Sequence, residues 1–409
     1  MNLYFKIHPI SFIKAMSMAL ELTNTGISNH HCRTTIIAKA IAKHLQLSQP
    51  ELQTLIYASL LHDIGAASNW EEKHSIMHDD NTSAIFHHPE AGYQILKGSP
   101  FLLEIAVPIR HHHDRYCGGN PSGLKGEQIP LLSRIIHISD RIEVMIDKNK
   151  HIFKQRQDIL SYVESSDFFD PALVKIVKTL SASEGFWLDI VNYEYQKVFL
   201  SEFDFFGKRM LTSDDLINIA EIFSGIVDGI SPFTLRHSRD VAATAIFLAR
   251  KHGFNEEELK LFYLAGLLHD LGKLAVPNEI VNKPDKLTEE DYAIIKQHPY
   301  YSQRILQQIE GFEEISNWVG QHHEALDGQG YPYGLCSDKI SLGARILTVA
   351  DIFCALTEDR PYRRMMNLEQ TWAIMDDMAE KLKLDPNIYK YLKLYPDEVS
   401  ALLESQKKL

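Results

Sequence analysis

Seven histidine and aspartate residues occur in the same order in each half of the chain. The later set is His237, His269, Asp270, His298, His322, His323 and Asp351, and the earlier set is His30, His62, Asp63, His88, His111, His112 and Asp140. His30 and His237 lie 207 residues apart, as do His62 and His269, and Asp63 and Asp270. The separation is 210 for His88 and His298, and 211 for His111 and His322, His112 and His323, and Asp140 and Asp351. Each histidine taken singly reads as an ordinary core or surface residue. Seven ligand-type side chains in two registers read as a tandem duplication around metal.

The chemistry follows from the donor types. An adjacent His-Asp pair offers an imidazole nitrogen and a carboxylate, and one carboxylate can bridge two ions about 3.5–4 Å apart. Five histidines and two aspartates exceed what one tetrahedral zinc ion takes. Nitrogen and oxygen donors without thiolate favour Mn, Fe, Co or Ni. Lys273 follows Asp270 by three residues, within reach of an anion held at that carboxylate.

These side chains need helices to position them. Leu216, Ile219, Ile222, Phe223, Ile226 and Val227 recur at three- and four-residue steps, as do Leu259, Phe262, Tyr263, Gly266 and Leu267. Asn255 before three glutamates and Thr288 before Glu289, Glu290 and Asp291 are helix starts. Pro299 opens a further helix, and Gly272 stands where the helix begun at Asn255 is expected to stop. Alternating Val- and Thr-rich runs are scarce. The expected fold is all-α, as two tandem helical bundles spanning 1–203 and 204–409, with the change near the Thr212-Ser213-Asp214-Asp215 cap.

The second half resembles the HD-GYP branch of the HD superfamily of metal-dependent phosphohydrolases. The resemblance rests on His237-Ser238, His269-Asp270-Leu271-Gly272-Lys273, His298-Pro299, His322-His323-Glu324, Asp327-Gly328-Gln329-Gly330-Tyr331-Pro332 and Asp359-Arg360-Pro361-Tyr362-Arg363. It covers roughly residues 213–400. One departure is His237-Ser238-Arg239-Asp240, where the family has arginine one place later. The resemblance implies an all-α, bacterial, metal-dependent phosphodiesterase that opens 3′,5′-cyclic dinucleotides, cyclic di-GMP or 3′,3′-cyclic GMP-AMP, to a linear dinucleotide. It implies two or three divalent transition-metal ions, Fe or Mn first and Ni, Co or Zn as alternatives, on His237, His269, Asp270, His298, His322, His323 and Asp351. Asp270 and Lys273 would be catalytic, and Lys273, Arg360, Arg363 and Tyr331 would contact substrate. A diguanylate-cyclase-type (GGDEF) protein and a second copy of the chain are the implied protein partners. The competing reading is a non-catalytic cyclic-dinucleotide sensor or interaction module.

The first half keeps ligand types but not the rest. Ala66 stands for Lys273, Gly119-Asn120-Pro121 for Gly330-Tyr331-Pro332, and Lys148 to Ile152 for Asp359 to Arg363. His30, His62, Asp63, His88, His111, His112 and Asp140 are then either a second metal site or hydrogen-bonded core groups, in a half that is catalytically weak or silent.

Composition bounds the partners. The formal charge of −12 argues against duplex nucleic acid and anionic membrane, though not against an anion drawn to metal. The four cysteines, Cys32, Cys117, Cys336 and Cys354, form no C-x-x-C pair, and no stretch of 18 apolar residues occurs. The expected compartment is the cytoplasm.

Overall fold

A computed structural model describes residues 7–23, 26–67, 83–203, 210–231, 236–359 and 363–408. Its regular structure is mainly helical. Among the described residues the sole sheet is the two-residue pair Leu22–Thr23 and Gly26–Ile27, and no helix is long and apolar enough to cross a membrane.

The described residues form two units, those within 8–21 and 26–210, and those within 1–7, 22–25 and 211–409. The division lies just before the Thr212 cap, and among the described residues Ile7 and Leu22–Thr23 group with the second half. Ile7 does so because it pairs antiparallel with Leu211 and accepts that residue's N–H at 3.1 Å.

Each unit uses the same helix order. In the second, His237–Lys251 packs on Glu256–Leu268 and on Leu342–Thr357, and His298–Leu306 packs on Glu313–Gln321. In the first, His30–Leu45 packs on Gln49–Leu61 and Leu131–Val144, and His87–Leu96 packs on Leu103–Arg110. The duplication extends past the ligands. Arg134 pairs with Asp170 and Arg345 with Asp385, and each aspartate caps a helix whose first residue is proline, Pro171 or Pro386.

The helix starts read from sequence are present. Asn255 accepts from the N–H groups of Glu257 and Glu258, Thr288 accepts from Asp291, and Thr212 accepts from Asp215. Such caps satisfy amides that have no intrahelical partner. Inward faces supply the core, with Phe223, Phe262, Phe312 and Phe353 fully buried. Each such side chain contributes roughly 1.5–3 kcal/mol.

Gly272 does not end its helix. The helix closes at Leu268, and Gly272 lies inside the 3₁₀ turn Leu271–Ala275. Its role is close approach, because a Cβ there would meet the His298 carbonyl oxygen at 2.1 Å. Gly65 has the same relation to His88, at 2.0 Å. The two glycines let the His-Asp turn press against the helix that carries the next histidine.

Candidate metal centre

In the second unit the ligand set converges. His237 opens one helix, His269 and Asp270 follow the end of the next, and His298 opens a third. His322 follows the Glu313–Gln321 helix, and Asp351 projects from Leu342–Thr357. Asp270 presents its two oxygens to different histidines: Oδ2 lies 3.2 Å from His269 Nε2 and 3.8 Å from His237 Nε2, while Oδ1 lies 3.3 Å from His298 Nε2. Asp351 Oδ1 stands 3.2 Å from His237 Nε2 and 3.9 Å from His269 Nε2. Its Oδ2 is 4.0 Å from His323.

Helix ends set the tautomers. The last carbonyls of a helix lack intrahelical donors. His269 Nδ1 donates to Gly266 O at 2.7 Å, His322 Nδ1 to Val319 O at 2.6 Å, and His298 Nδ1 to Ile295 O at 2.8 Å. In neutral His298 and His322, Nε2 is then an unprotonated lone pair. His298 Nε2 and His322 Nε2 nevertheless face one another at 3.4 Å. Two lone pairs at that distance, beside a carboxylate, repel unless a cation lies among them. The donor set therefore fits metal ions, and Asp270 turns one oxygen to His269 and the other to His298. His237 is oriented differently, since its Nδ1 bonds the Glu358 carboxylate at 2.9 Å. That His-carboxylate pairing raises ligand basicity and fixes the ring.

The electrostatics agree. Burial and the neighbouring positive groups push His298 down to about 3. Burial with His269 nearby pushes His322 down to about 4. Both imidazoles are neutral at pH 7, the form that binds metal. Burial alone would raise the Asp270 carboxyl, but His269 and Lys273 outweigh it and hold the group well below the usual carboxylate range. Asp351 is also held low, where His237 outweighs burial.

The proposed substrate contacts fare unequally. Lys273 stands at the cluster, its Nζ 2.6 Å from Asp270 Oδ2, with 24% of its side chain exposed. Tyr331 stacks on His323, with ring centroids 4.8 Å apart. Arg360 lies outside the described residues. Arg363 requires correction. Its guanidinium donates to the carbonyls of Ala355, Leu356 and Arg364 at 2.6–3.0 Å, so it ties down the end of the Leu342–Thr357 helix rather than facing substrate.

The first unit repeats the geometry. Asp63 Oδ2 lies 3.3 Å from His62 Nε2 and 3.5 Å from His30 Nε2, and Oδ1 lies 3.4 Å from His88 Nε2. Asp140 Oδ1 is 3.3 Å from His30. His88 Nε2 and His112 Nε2 approach to 3.1 Å, with His112 Nδ1 donating to Ile109 O at 2.6 Å.

The three-histidine run needs a second correction. His112 and His113, not His111 and His112, join His88. The paired rings lie 4.1 Å apart, as do His322 and His323. His111 instead bonds Asp114 at 2.8 Å. The one-residue length difference between the repeats therefore falls after this run rather than before it.

Several residues at the sites were not anticipated. His31 adds an imidazole 3.5 Å from Asp63 Oδ2, where the second repeat has Ser238. Glu143 bonds His30 Nδ1 and Arg33, in the role Glu358 plays for His237, and these partners outweigh burial to draw its carboxyl down to about 2. Arg141 donates twice to Asp140 Oδ2, at 2.6 and 2.9 Å, while the corresponding second-repeat residue is Ile352. Glu324 accepts the N–H groups of Tyr333 and Leu335 at 2.7 and 2.8 Å and so fixes the loop after His323. Apart from Glu324, which belongs to the His322-His323-Glu324 motif, none of these carries a local sequence signal.

Known proteins place the chain. The 3′3′-cGAMP-specific phosphodiesterase 1 of Vibrio cholerae serotype O1 is 31% identical over 386 residues, 91% of this chain and 88% of that protein. The cyclic di-GMP phosphodiesterase PA4108 of Pseudomonas aeruginosa is 38% identical over 181 residues, 42% of each chain. The crystal structure of a cyclic GMP-AMP-specific phosphodiesterase of V. cholerae, V-cGAP3, superposes with a TM-score of 0.67 at 26% identity and covers 98% of both chains. The HD domain family matches at residues 14–173 and again at 221–388. With the family's pattern met once in each unit, the chain belongs to the HD domain family as a tandem pair.

Proposed function

We propose that the protein is a metal-dependent phosphodiesterase that opens a 3′,5′-cyclic dinucleotide to its linear form, with the chemistry in the second repeat. The observation that carries this reading is the bridging posture of Asp270 between two groups of histidine Nε2 atoms, with Lys273 at its edge. His237, His269, Asp270 and Asp351 would hold one ion, and His298, His322, His323 and Asp270 another. Divalent ions there supply Lewis acidity and acidify water at neutral pH. The absence of thiolate donors favours Mn or Fe.

The chain's own residues do the rest. Lys273 places a positive charge where a nonbridging phosphate oxygen must be neutralised as the phosphodiester breaks. Tyr331, locked on His323 and donating its N–H to the His323 carbonyl at 3.1 Å, forms the wall beside the reacting group. Arg360 is assigned to the second phosphate or a guanine edge, where a guanidinium donates paired bonds.

Between the two substrates, 3′,3′-cyclic GMP-AMP is favoured. The relative named for it aligns along nearly the whole chain, whereas the cyclic di-GMP enzyme PA4108 aligns along under half. The test is a substrate panel with anaerobically purified, Mn²⁺- or Fe²⁺-loaded protein. Faster conversion of 3′,3′-cyclic GMP-AMP than of cyclic di-GMP is expected. Binding of both nucleotides without turnover under every metal would establish a receptor instead.

A further inference from the structure

The repeats differ sharply beside the last histidine of each run. In the second, the Tyr331 ring covers His323, with planes 27° apart. In the first, the loop between His113 and Gly123 is one residue shorter than its counterpart, and Gly118 to Gly123 contains no aromatic residue. A cavity of about 620 Å³ lies at this place, lined by His113 with Phe86, His87, Arg110, His111 and Pro121 among others. Its volume falls within the ~300–1,000 Å³ usual for small-molecule sites.

Two observations point to what it takes. His113 is 1% exposed, yet neither ring nitrogen has a hydrogen-bond partner among the described residues. A buried polar ring without partners costs free energy, which a bound ion or ligand would offset. Asp63 Oδ1 is likewise buried without a hydrogen-bond partner, and it faces His88 at 3.4 Å. A cation held by His88, His112, His113 and Asp63 would thus border the cavity.

The cavity wall suits the remainder of a nucleotide. Arg110 is anchored through Nε on Glu90 at 2.7 Å and stacked on Tyr93, and its terminal amino groups have no partner among the described residues. Phe86 adds an aromatic ring to the lining, with the Arg115 guanidinium 5.6 Å from its centroid. The acids there, Glu90 and Asp114, are engaged by Arg110 and His111.

Resting on the reading that the first repeat binds metal, we propose that it is a receptor site for a mononucleotide, with the phosphate docked at the His88–His112–His113 cation and beside Arg110, and the base against Phe86. Hydrolysis is not expected there. Ala66 replaces the phosphate-facing lysine, and Arg141 occupies Asp140 Oδ2.

The test uses the full chain as Asp270→Ala, which removes the second cluster from the readout, loaded with Mn²⁺. Equilibrium dialysis against GMP, guanosine and inorganic phosphate is paired with the Mn²⁺ electron-spin resonance spectrum. One GMP per chain, a changed spectrum and at least tenfold weaker guanosine binding are expected. Adding Arg110→Ala should weaken GMP at least tenfold with Mn²⁺ content unchanged, and adding His113→Gln should reduce both. The proposal is overturned if the first repeat takes up no Mn²⁺, if GMP leaves dialysis and spectrum unchanged, or if Arg110→Ala binds GMP like its parent. Thermal melts of each variant check folding. Cyclic-dinucleotide hydrolysis by the wild type, measured in parallel, reports separately on the second repeat.

Discussion

His298 Nε2 faces His322 Nε2 at 3.4 Å while each ring spends its Nδ1 proton on a backbone carbonyl. This arrangement suits a cation between the rings, and Asp270 Oδ1 adds a donor at 3.3 Å from His298.

Lys273→Ala should lower kcat by roughly 10²–10³-fold, the loss typical of one charge-stabilising group. Metal content should stay near the wild-type value, because the five imidazoles and two carboxylates remain. Elemental analysis beside steady-state kinetics checks both parts. Loss of metal in this variant would contradict the role given to the lysine.

Glu358→Gln should weaken metal binding in the second repeat by roughly 10–100-fold, the usual effect of removing a carboxylate behind a ligating histidine. His237 Nδ1 would keep a neutral acceptor but lose the charge at 2.9 Å. Competition with a chelator of known affinity measures the shift. Glu143→Gln should leave second-repeat metal unchanged in the same assay.

Asp240 yields a pH prediction. Burial and then the like charge of Glu358 push its carboxyl up to about 7. Between pH ~4 and 7 the folded state then holds a proton that the unfolded state has released. The resulting stabilisation is present at low pH and is lost as pH rises through the folded pKa. Asp240→Asn should remove this dependence. Melting curves at equal metal loading should show the variant gaining on the wild type from pH 5 to pH 8. A constant difference across that range would refute the assignment.

Much of this was legible before the fold. Histidines and aspartates at matched spacing forecast both clusters, because a helix end delivers a side chain to one place whatever its loops do. The all-α class and the caps at Asn255, Thr288 and Thr212 followed from periodicity and short polar residues. The His111-His112-His113 run did not resolve, because three identical side chains carry no register and the compensating deletion lies beyond them. Arg363 misled for a related reason: a guanidinium suits phosphate and helix-end carbonyls equally, and only tertiary position separates the two. Glu143, Glu358 and Arg141 act through contacts set by folding, so nothing in their local sequence marks them. Gly272 was read as a helix stop when the close passage of the His298 helix requires it.

The most direct measurement of the central claim compares 3′,3′-cyclic GMP-AMP turnover by Mn²⁺-loaded Asp270→Ala and Asp63→Ala, both confirmed as folded. Asp270→Ala should form no linear dinucleotide, and Asp63→Ala should retain most of the wild-type rate. Turnover by Asp270→Ala, or its collapse in Asp63→Ala, would show that the second repeat does not house the chemistry alone.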